Sequence, residues 1–305
     1  MKTKFAILLL LASAVLHAQA DSLTGYIYSR VTLDEVVVTA SKSELDLWDF
    51  ITLVQEDRSF YRAFYNLRTR PYVSETRMTF YNRQGRKKAG RYLKTSQWSD
   101  GQCYHTQTLE EKTEGKFYTR KGAHRYYTSE LYDHIFFAPD TICTSPGDWQ
   151  PRDTRKLSGR DKQIEELKKL LFATGQPANI PLIGDKAAIF TRKMIERYEY
   201  EISSDTLEGR PCYLFSVHAK PDLAASKTVI KRFDIWFERG SLQVLRRKFF
   251  LYQRSALYDF DIKFDIRLEQ VGAQYLPQSI LYQGWWKVPF QKLEKARAEV
   301  LFSYF

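Results

Sequence analysis

Apolar and polar residues alternate most regularly in the C-terminal third of the chain. The apolar members of this alternation are Tyr258, Phe260, Ile262, Phe264, Ile266 and Leu268, and an acidic or basic residue stands between each pair of neighbours. Two earlier runs alternate in the same way, one through Phe233, Ile235 and Phe237 and one through Tyr213, Phe215 and Val217. Because successive side chains of a strand point to opposite faces, these runs predict antiparallel strands with one apolar face. We therefore predict a mainly β fold, in which a curved antiparallel sheet forms a half-open barrel with covering α-helices.

Helical spacing interrupts the strand pattern near residues 43–67 and 129–193. Ser43 and Asp46 have the spacing of a capping box, and an apolar stripe follows them toward Pro71. The second region contains one short apolar face, formed by Ile164, Leu167, Leu170 and Leu171. Between the two regions, turn residues separate short strand-like runs, which predicts a meander of hairpins. We expect residues 43–305 to form a single domain in which amphipathic helices cover the sheet.

Residues 1–20 have the pattern of a signal peptide. Lys2 and Lys4 precede an apolar run from Phe5 to Leu16, and Ala18-Gln19-Ala20 supplies the small-residue cleavage pattern. An apolar run of about 12 residues is too short to cross a bilayer, which needs about 20. We expect cleavage after Ala20 and an exported protein, located in the periplasm or attached peripherally to the outer membrane.

The composition fits a folded domain with a basic surface. The 305 residues are 44% hydrophobic and carry a formal net charge of +11, of which Lys2 and Lys4 leave with the signal peptide. An exported protein seldom meets nucleic acid, so we expect no nucleic-acid partner despite the charge. Anionic lipid, lipopolysaccharide or an acidic protein surface fits the charge, and a soluble basic domain with scattered charges fits it equally.

Three cysteines are too few for a disulfide scaffold and match no zinc spacing. In an oxidising compartment one pair could form a bridge. Cys103 and Cys143 are the favoured pair, because Cys212 falls within an expected core strand. Three buried, unpaired thiols are the alternative.

The C-terminal hundred residues resemble the LolA-like superfamily of lipoprotein carriers, which are half-open periplasmic β-barrels. The resemblance lies in the order of short segments, Pro211-Cys212-Tyr213-Leu214-Phe215-Ser216-Val217, Phe233-Asp234-Ile235-Trp236-Phe237-Glu238-Arg239-Gly240-Ser241, Leu245-Arg246-Arg247, Tyr275-Leu276-Pro277 and Gln283-Gly284-Trp285. It implies an apolar cavity, enclosed by the sheet and its helices, that holds lipid or the acyl chains of a lipoprotein.

Such a ligand would contact the apolar residues that share the concave face. The candidate ligand-binding residues are Tyr213, Phe215, Val217, Phe233, Ile235, Phe237, Phe260, Ile262 and Phe264. An apolar sheet face is more often a filled core than a cavity, and the sequence leaves both possibilities open.

Residues 21–42 are rich in β-branched residues, which predicts an extended N-terminal arm. The segment 33–40 resembles the TonB box of Bacteroidetes outer-membrane receptors, and the whole chain is similar to secreted Bacteroidetes proteins of unassigned role. Strand addition would bind an envelope protein through main-chain groups at Glu35, Val36, Val37 and Val38. The chain is much shorter than such a receptor, so pairing of the arm within the protein itself is the alternative.

Catalytic motifs do not occur in the sequence. It contains no nucleophile elbow, no zinc-binding helix and no phosphate-binding glycine loop. His105, His124, His134 and His218 lack metal-ligand spacing, and we expect neither a metal nor a cofactor. The sequence thus predicts a non-catalytic envelope protein that binds a hydrophobic ligand. The alternatives are an interaction module that uses the arm and a small outer-membrane barrel, since the chain ends in an aromatic strand with Phe305.

Overall fold

About half of the described residues belong to one β-sheet. The computed structural model describes residues 39–40, 45–137, 141–143, 157, 159–177, 183–255, 259–287 and 292–305. Within these residues the strands are β1 (Thr39–Ala40), β2 (Tyr72–Tyr81), β3 (Lys87–Ser99), β4 (Tyr104–Gly115), β5 (Thr141–Ile142), β6 (Tyr198–Leu207), β7 (Arg210–Ala219), β8 (Ile230–Glu238), β9 (Val244–Gln253), β10 (Asp259–Val271), β11 (Gln274–Lys287) and β12 (Glu294–Tyr304). The predicted signal peptide, residues 1–20, and residues 35–38 of the predicted arm lie outside the described residues.

The strand order is β1-β6-β7-β8-β9-β10-β11-β12-β2-β3-β4-β5. All neighbours are antiparallel except β1, which pairs parallel with β6. The C-terminal strand β12 lies between β11 and β2, so the last strand joins the two halves of the meander. The order has two ends and the sheet is not closed into a barrel, which confirms the predicted open, mainly β architecture.

Helices occupy the two regions where the sequence loses its strand pattern. Their bounds are α1 (Leu47–Glu56), α2 (Ser59–Asn66), α3 (Tyr127–Phe136), α4 (Gly159–Phe172), α5 (Gly184–Ala187) and α6 (Arg192–Ile195). Short 3-10 turns follow at Leu67–Thr69 and Ala225–Lys227.

The first helical region differs in detail from the continuous helix expected over 43–67. Asp46 is the N-cap and forms a capping box with Asp49, because each carboxylate accepts the backbone N–H of the other residue. The helix then breaks at Asp57, whose backbone is extended. The Asp57 carboxylate accepts hydrogen bonds from the backbone N–H and the hydroxyl of Ser59, and α2 starts there. The expected cap at Ser43 lies outside the described residues.

The two faces of the sheet have different surroundings. We call the face that carries Phe215, Ile235 and Phe249 the inner face, because helices and loops cover it and these side chains are almost completely buried. The opposite side is the outer face. Cross-strand register places Phe215 beside Ile235 and Phe233 beside Phe249, so the inner face continues from strand to strand. This is the arrangement that period-two alternation predicts.

A disulfide links Cys103, which directly precedes β4, to Cys143, which directly follows β5. It thereby confirms the favoured pairing. Cys212 is buried on the outer side of β7 in a small cluster with Leu207, Trp236 and Leu245, and its thiol is free. Burial raises the pKa of that thiol, which keeps it protonated.

Among the described helices, none combines the length and the hydrophobicity that crossing a lipid bilayer requires.

Candidate functional site

The nine predicted ligand-binding residues all lie on the inner face, on β7, β8 and β10. Six of them are buried, namely Phe215, Val217, Phe233, Ile235, Phe237 and Phe260. Tyr213, Ile262 and Phe264 are half-buried. The structure thus brings the predicted set together on one surface but gives its members two different environments.

The β7–β8 part of this surface is filled by the protein itself. The ring of Phe50, on α1, lies 5.6 Å from the ring of Tyr213 and 5.7 Å from those of Phe215 and Phe237, measured between centroids. Phe190 adds a stacked contact to Phe215 at 6.4 Å. Aromatic pairs at these distances are typical of a packed core.

The β10–β11 part is less completely covered. Ile262 and Phe264 stay half-buried, and the residue beside Ile262 on β11 is Gly284. A Cβ at Gly284 would lie 2.4 Å from the Asp261 carbonyl oxygen and 2.8 Å from the Ile262 Cα, so no side chain fits there. We call Ile262, Phe264 and Gly284 the open patch. Its two apolar side chains pack against the core and keep part of their surface exposed.

Helix α3 covers the neighbouring strands and buries polar atoms beneath it. Tyr132, on α3, lies 6.4 Å from Tyr282 on β11, ring to ring, and Phe136 lies 6.3 Å from Phe264 in the open patch. Among the described residues, the Tyr132 hydroxyl and the Thr76 Oγ1 are buried without a hydrogen-bond partner. Burial raises the pKa of Tyr132 and keeps its hydroxyl neutral. Orphaned polar groups of this kind mark places where water or a ligand can supply the missing partner.

A buried arginine ties the helices to the inner face. Arg247 on β9 is 0% exposed and forms an ion pair with Asp57 at the break between α1 and α2. Its guanidinium also donates a 2.9 Å hydrogen bond to the Phe172 carbonyl at the end of α4 and lies 4.3 Å from the Phe60 ring centre. Burial lowers the pKa of Arg247, and the Asp57 carboxylate opposes that shift. One charged side chain therefore holds three helices against the sheet.

A second set of polar contacts holds α3. Arg91 on β3 donates two hydrogen bonds to Asp133 on α3, at 3.0 and 2.7 Å, and its side chain is 3% exposed. At the N-terminus of α3, the Glu294 carboxylate accepts the backbone N–H groups of Tyr127 and Thr128 at 2.8 and 2.9 Å. Because a carboxylate satisfies the unpaired N–H groups of a first helical turn, Glu294 caps α3 from β12.

A serine, a histidine and an aspartate lie together near α3 without forming a nucleophilic site. His124 Nδ1 lies 2.9 Å from Ser129 Oγ, and its Nε2 lies 3.4 Å from Asp133. Ser129 is fully buried and donates to the Tyr126 carbonyl, while Asp133 is held by Arg91. Burial lowers the pKa of His124, so the ring stays neutral. The group fixes the start of α3 and presents no exposed hydroxyl to a substrate.

Among the described residues, no group of three His, Cys, Asp or Glu side chains has the geometry to hold a metal ion.

Of the predicted arm, the structure describes Thr39 and Ala40, which form β1 at one end of the strand order. Thr39 and Ala40 pair with Glu201 and Ile202 on β6. The four candidate partner-binding residues, Glu35, Val36, Val37 and Val38, precede this pairing and lie outside the described residues.

Sequence reasoning missed Arg247 because it falls within the basic run Arg246-Arg247-Lys248. One signal could have found it, since Arg247 is in phase with the inner-face residues Phe249 and Leu251. A charge at an apolar position of a two-residue pattern indicates a buried ion pair or a functional group.

Comparisons with known proteins give matches in structure only. No protein-family model matches the sequence, and no curated protein matches it. Eight solved chains match it in a comparison of structures. One is a putative outer membrane lipoprotein-sorting protein domain from Vibrio parahaemolyticus, 11% identical over 79% of this chain and 89% of that chain, with a TM-score of 0.25.

Two further structures match over similar lengths. A LolA superfamily protein from Nitrosomonas europaea is 7% identical over 80% of this chain and 89% of that chain, with a TM-score of 0.23. A DUF1329 family protein from Desulfovibrio piger is 11% identical over 81% and 92%, with a TM-score of 0.25. The architecture is established by the strand order of this chain.

Proposed function

We propose that this protein is a non-catalytic envelope protein that binds a hydrophobic ligand, lipid or the acyl chains of a lipoprotein, between the inner face of its sheet and the covering helices. The observation that carries the proposal is the open patch of Ile262, Phe264 and Gly284, which continues an otherwise buried apolar face. The patch borders Phe136 of α3, the helix that buries the unpartnered Tyr132 hydroxyl.

An acyl chain has the chemistry that this surface would recognise. Each methylene group that leaves water contributes about 0.8 kcal/mol, so apolar contact alone suffices for binding. A ligand with a polar end could also supply hydrogen bonds to buried hydroxyl groups such as those of Tyr132 and Thr76. The buried residues of β7 and β8 would then form one side of the binding site.

The binding test compares two aspartate substitutions on opposite faces. Ile262→Asp places a charge in the open patch, whereas Leu301→Asp places one on the outer face of β12, where Leu301 is 43% exposed. Because a carboxylate beside an acyl chain must lose its water, we expect Ile262→Asp to bind a fluorescent fatty acid about tenfold or more weakly. Fluorescence titration measures this, and circular dichroism verifies that both variants are folded.

Leu301→Asp is expected to bind the fatty acid as the unmodified protein does. A folded Ile262→Asp variant with unchanged affinity would contradict the proposed site.

A second proposal concerns the N-terminal arm as a binding segment for an envelope protein. It is favoured by the parallel pairing of Thr39–Ala40 with β6, which brings the arm to a sheet edge. Main-chain groups at such an edge are available for strand addition. Deleting residues 21–42 separates the two proposals, because the fatty acid should still bind to the inner face while an arm-dependent protein partner is lost.

A further inference from the structure

A groove of about 480 Å³ lies on the outer face, across β8, β9, β10 and β11. It is on the opposite side of the sheet from the helices. Two rows of side chains cross it. One row runs from Asp234 through Lys248 to Asp265, and the neighbouring row runs from Phe250 through Lys263 to Gln283.

Both carboxylates in the groove already have partners. Asp234 is 3% exposed and accepts hydrogen bonds from Ser216 at 2.8 Å and from Arg232 at 2.6 Å. Asp265 accepts two hydrogen bonds from Arg246, at 2.8 and 2.6 Å. Each acid is therefore neutralised by an arginine on its own strand or on the next one.

Lys248 and Lys263 add two positive charges to the groove. No ion pair among the described residues involves Lys248 or Lys263. Their ammonium groups instead lie over aromatic rings, Lys248 at 5.5 Å from Trp236 and Lys263 at 5.0 Å from Phe250. Contacts with rings orient an ammonium group without cancelling its charge.

The positions of the two lysines suit a shared ligand. They are diagonal neighbours on an antiparallel pair, where Cβ atoms lie roughly 7–8 Å apart. Long side chains at that distance can both reach a single phosphate or carboxylate group. Beside them, the half-buried side chains of Phe250 and Leu281 provide an apolar surface.

We propose that this groove is a binding site for a small amphiphilic anion, whose phosphate or carboxylate group contacts Lys248 and Lys263 and whose apolar part lies against Phe250 and Leu281. The site is separate from the proposed acyl-chain site, because the two lie on opposite faces of the sheet.

Octyl phosphate is a suitable probe, since it combines one anionic group with a short apolar chain. The test compares Lys248→Gln/Lys263→Gln with Lys287→Gln/Lys295→Gln, which removes two charges from the same face outside the groove. Isothermal titration calorimetry should show about tenfold weaker binding for the first variant, as expected for two partly exposed charge contacts. The second variant should bind as the unmodified protein does. An equal loss in both variants, or no loss in the first, would overturn the site.

Two further ligands separate the groove from other modes of binding. Octyltrimethylammonium has the same tail and the opposite charge, and inorganic phosphate lacks the tail, so both should bind more weakly than octyl phosphate. Ile262→Asp should leave octyl phosphate binding unchanged. If that variant loses the probe while Lys248→Gln/Lys263→Gln keeps it, the ligand lies on the inner face and the groove proposal fails, whereas the proposed function does not.

Discussion

Arg247 places a positive charge inside the apolar layer between the sheet and the helices. Its partners come from two distant parts of the chain, Asp57 and Phe60 at the start of α2 and Phe172 at the end of α4. Charges are almost never fully buried unless they are paired, because removing them from water is costly. The position of Arg247 therefore depends on the helices being in place, and the helices depend on Arg247.

Removing this charge should destabilise the protein strongly. Arg247→Met leaves the Asp57 carboxylate, whose side chain is 12% exposed, without its cation. Breaking a buried pair in this way costs about 3–5 kcal/mol, and we expect a loss of about 3 kcal/mol in the free energy of unfolding. Urea denaturation measures the loss.

Arg77→Met is the matched control on the outer face. Arg77 also pairs with a carboxylate, that of Glu75, but the two side chains are 55% and 31% exposed, so its removal should cost less than about 1 kcal/mol. Replacing Asp57 by Asn in the Arg247→Met background should recover part of the loss. Equal losses in the two single variants would show that Arg247 does not hold the helices.

At the scale of elements, the N-terminus of α3 is capped by a side chain from a strand of the sheet. Its N-cap residue, Tyr126, makes no side-chain capping bond, and Glu294 on β12 does so instead. Glu294 also accepts the Thr128 hydroxyl at 2.6 Å, and the Trp286 indole N–H donates to the same hydroxyl at 2.7 Å. The start of α3 is thus fixed to the sheet by side chains of β11 and β12.

Glu294→Ala should loosen α3 locally. It leaves two backbone N–H groups and a hydroxyl without their acceptor, which costs about 2 kcal/mol. Hydrogen exchange followed by mass spectrometry should show faster exchange in residues 127–136. Glu299→Ala, on the outer face of the same strand, should leave that exchange unchanged. Equal exchange rates in α3 for the two variants would rule out the cap.

Strands were more predictable than helix ends for a physical reason. The alternation of β8 and β10 depends on the backbone alone, so it predicts which side chains share a face. The break between α1 and α2 has no such local signal, because apolar positions continue across it and neither Gly nor Pro marks it. The Asp57 carboxylate at that break pairs with Arg247, a residue 190 positions away.

That the nine candidate residues share one face was predictable, but their accessibility was not. All nine predicted residues lie on the inner face, because they obey the same two-residue period. Whether such a face is a core or a cavity depends on what packs against it. Phe50 packs against the buried Phe215 and Phe237, whereas Ile262 and Phe264 stay half-buried. No local pattern distinguishes the two groups.

At the scale of the whole molecule, the sheet separates two chemically different surfaces. The inner face is apolar and covered by helices that are tied down through Arg247 and Arg91. The outer face carries arginine–carboxylate pairs and the two lysines of the groove. The two proposed binding sites therefore lie on opposite sides of one sheet.

The central claim is that the inner face binds an acyl chain, and native mass spectrometry tests it most directly. The mature protein would be purified from the envelope of its own host, together with the Ile262→Asp variant, and each sample would also be extracted for lipid. We predict a near-stoichiometric acyl-chain species bound to the unmodified protein and its loss from the variant. A ligand-free mass for the unmodified protein would contradict the account and identify the inner face as a filled core.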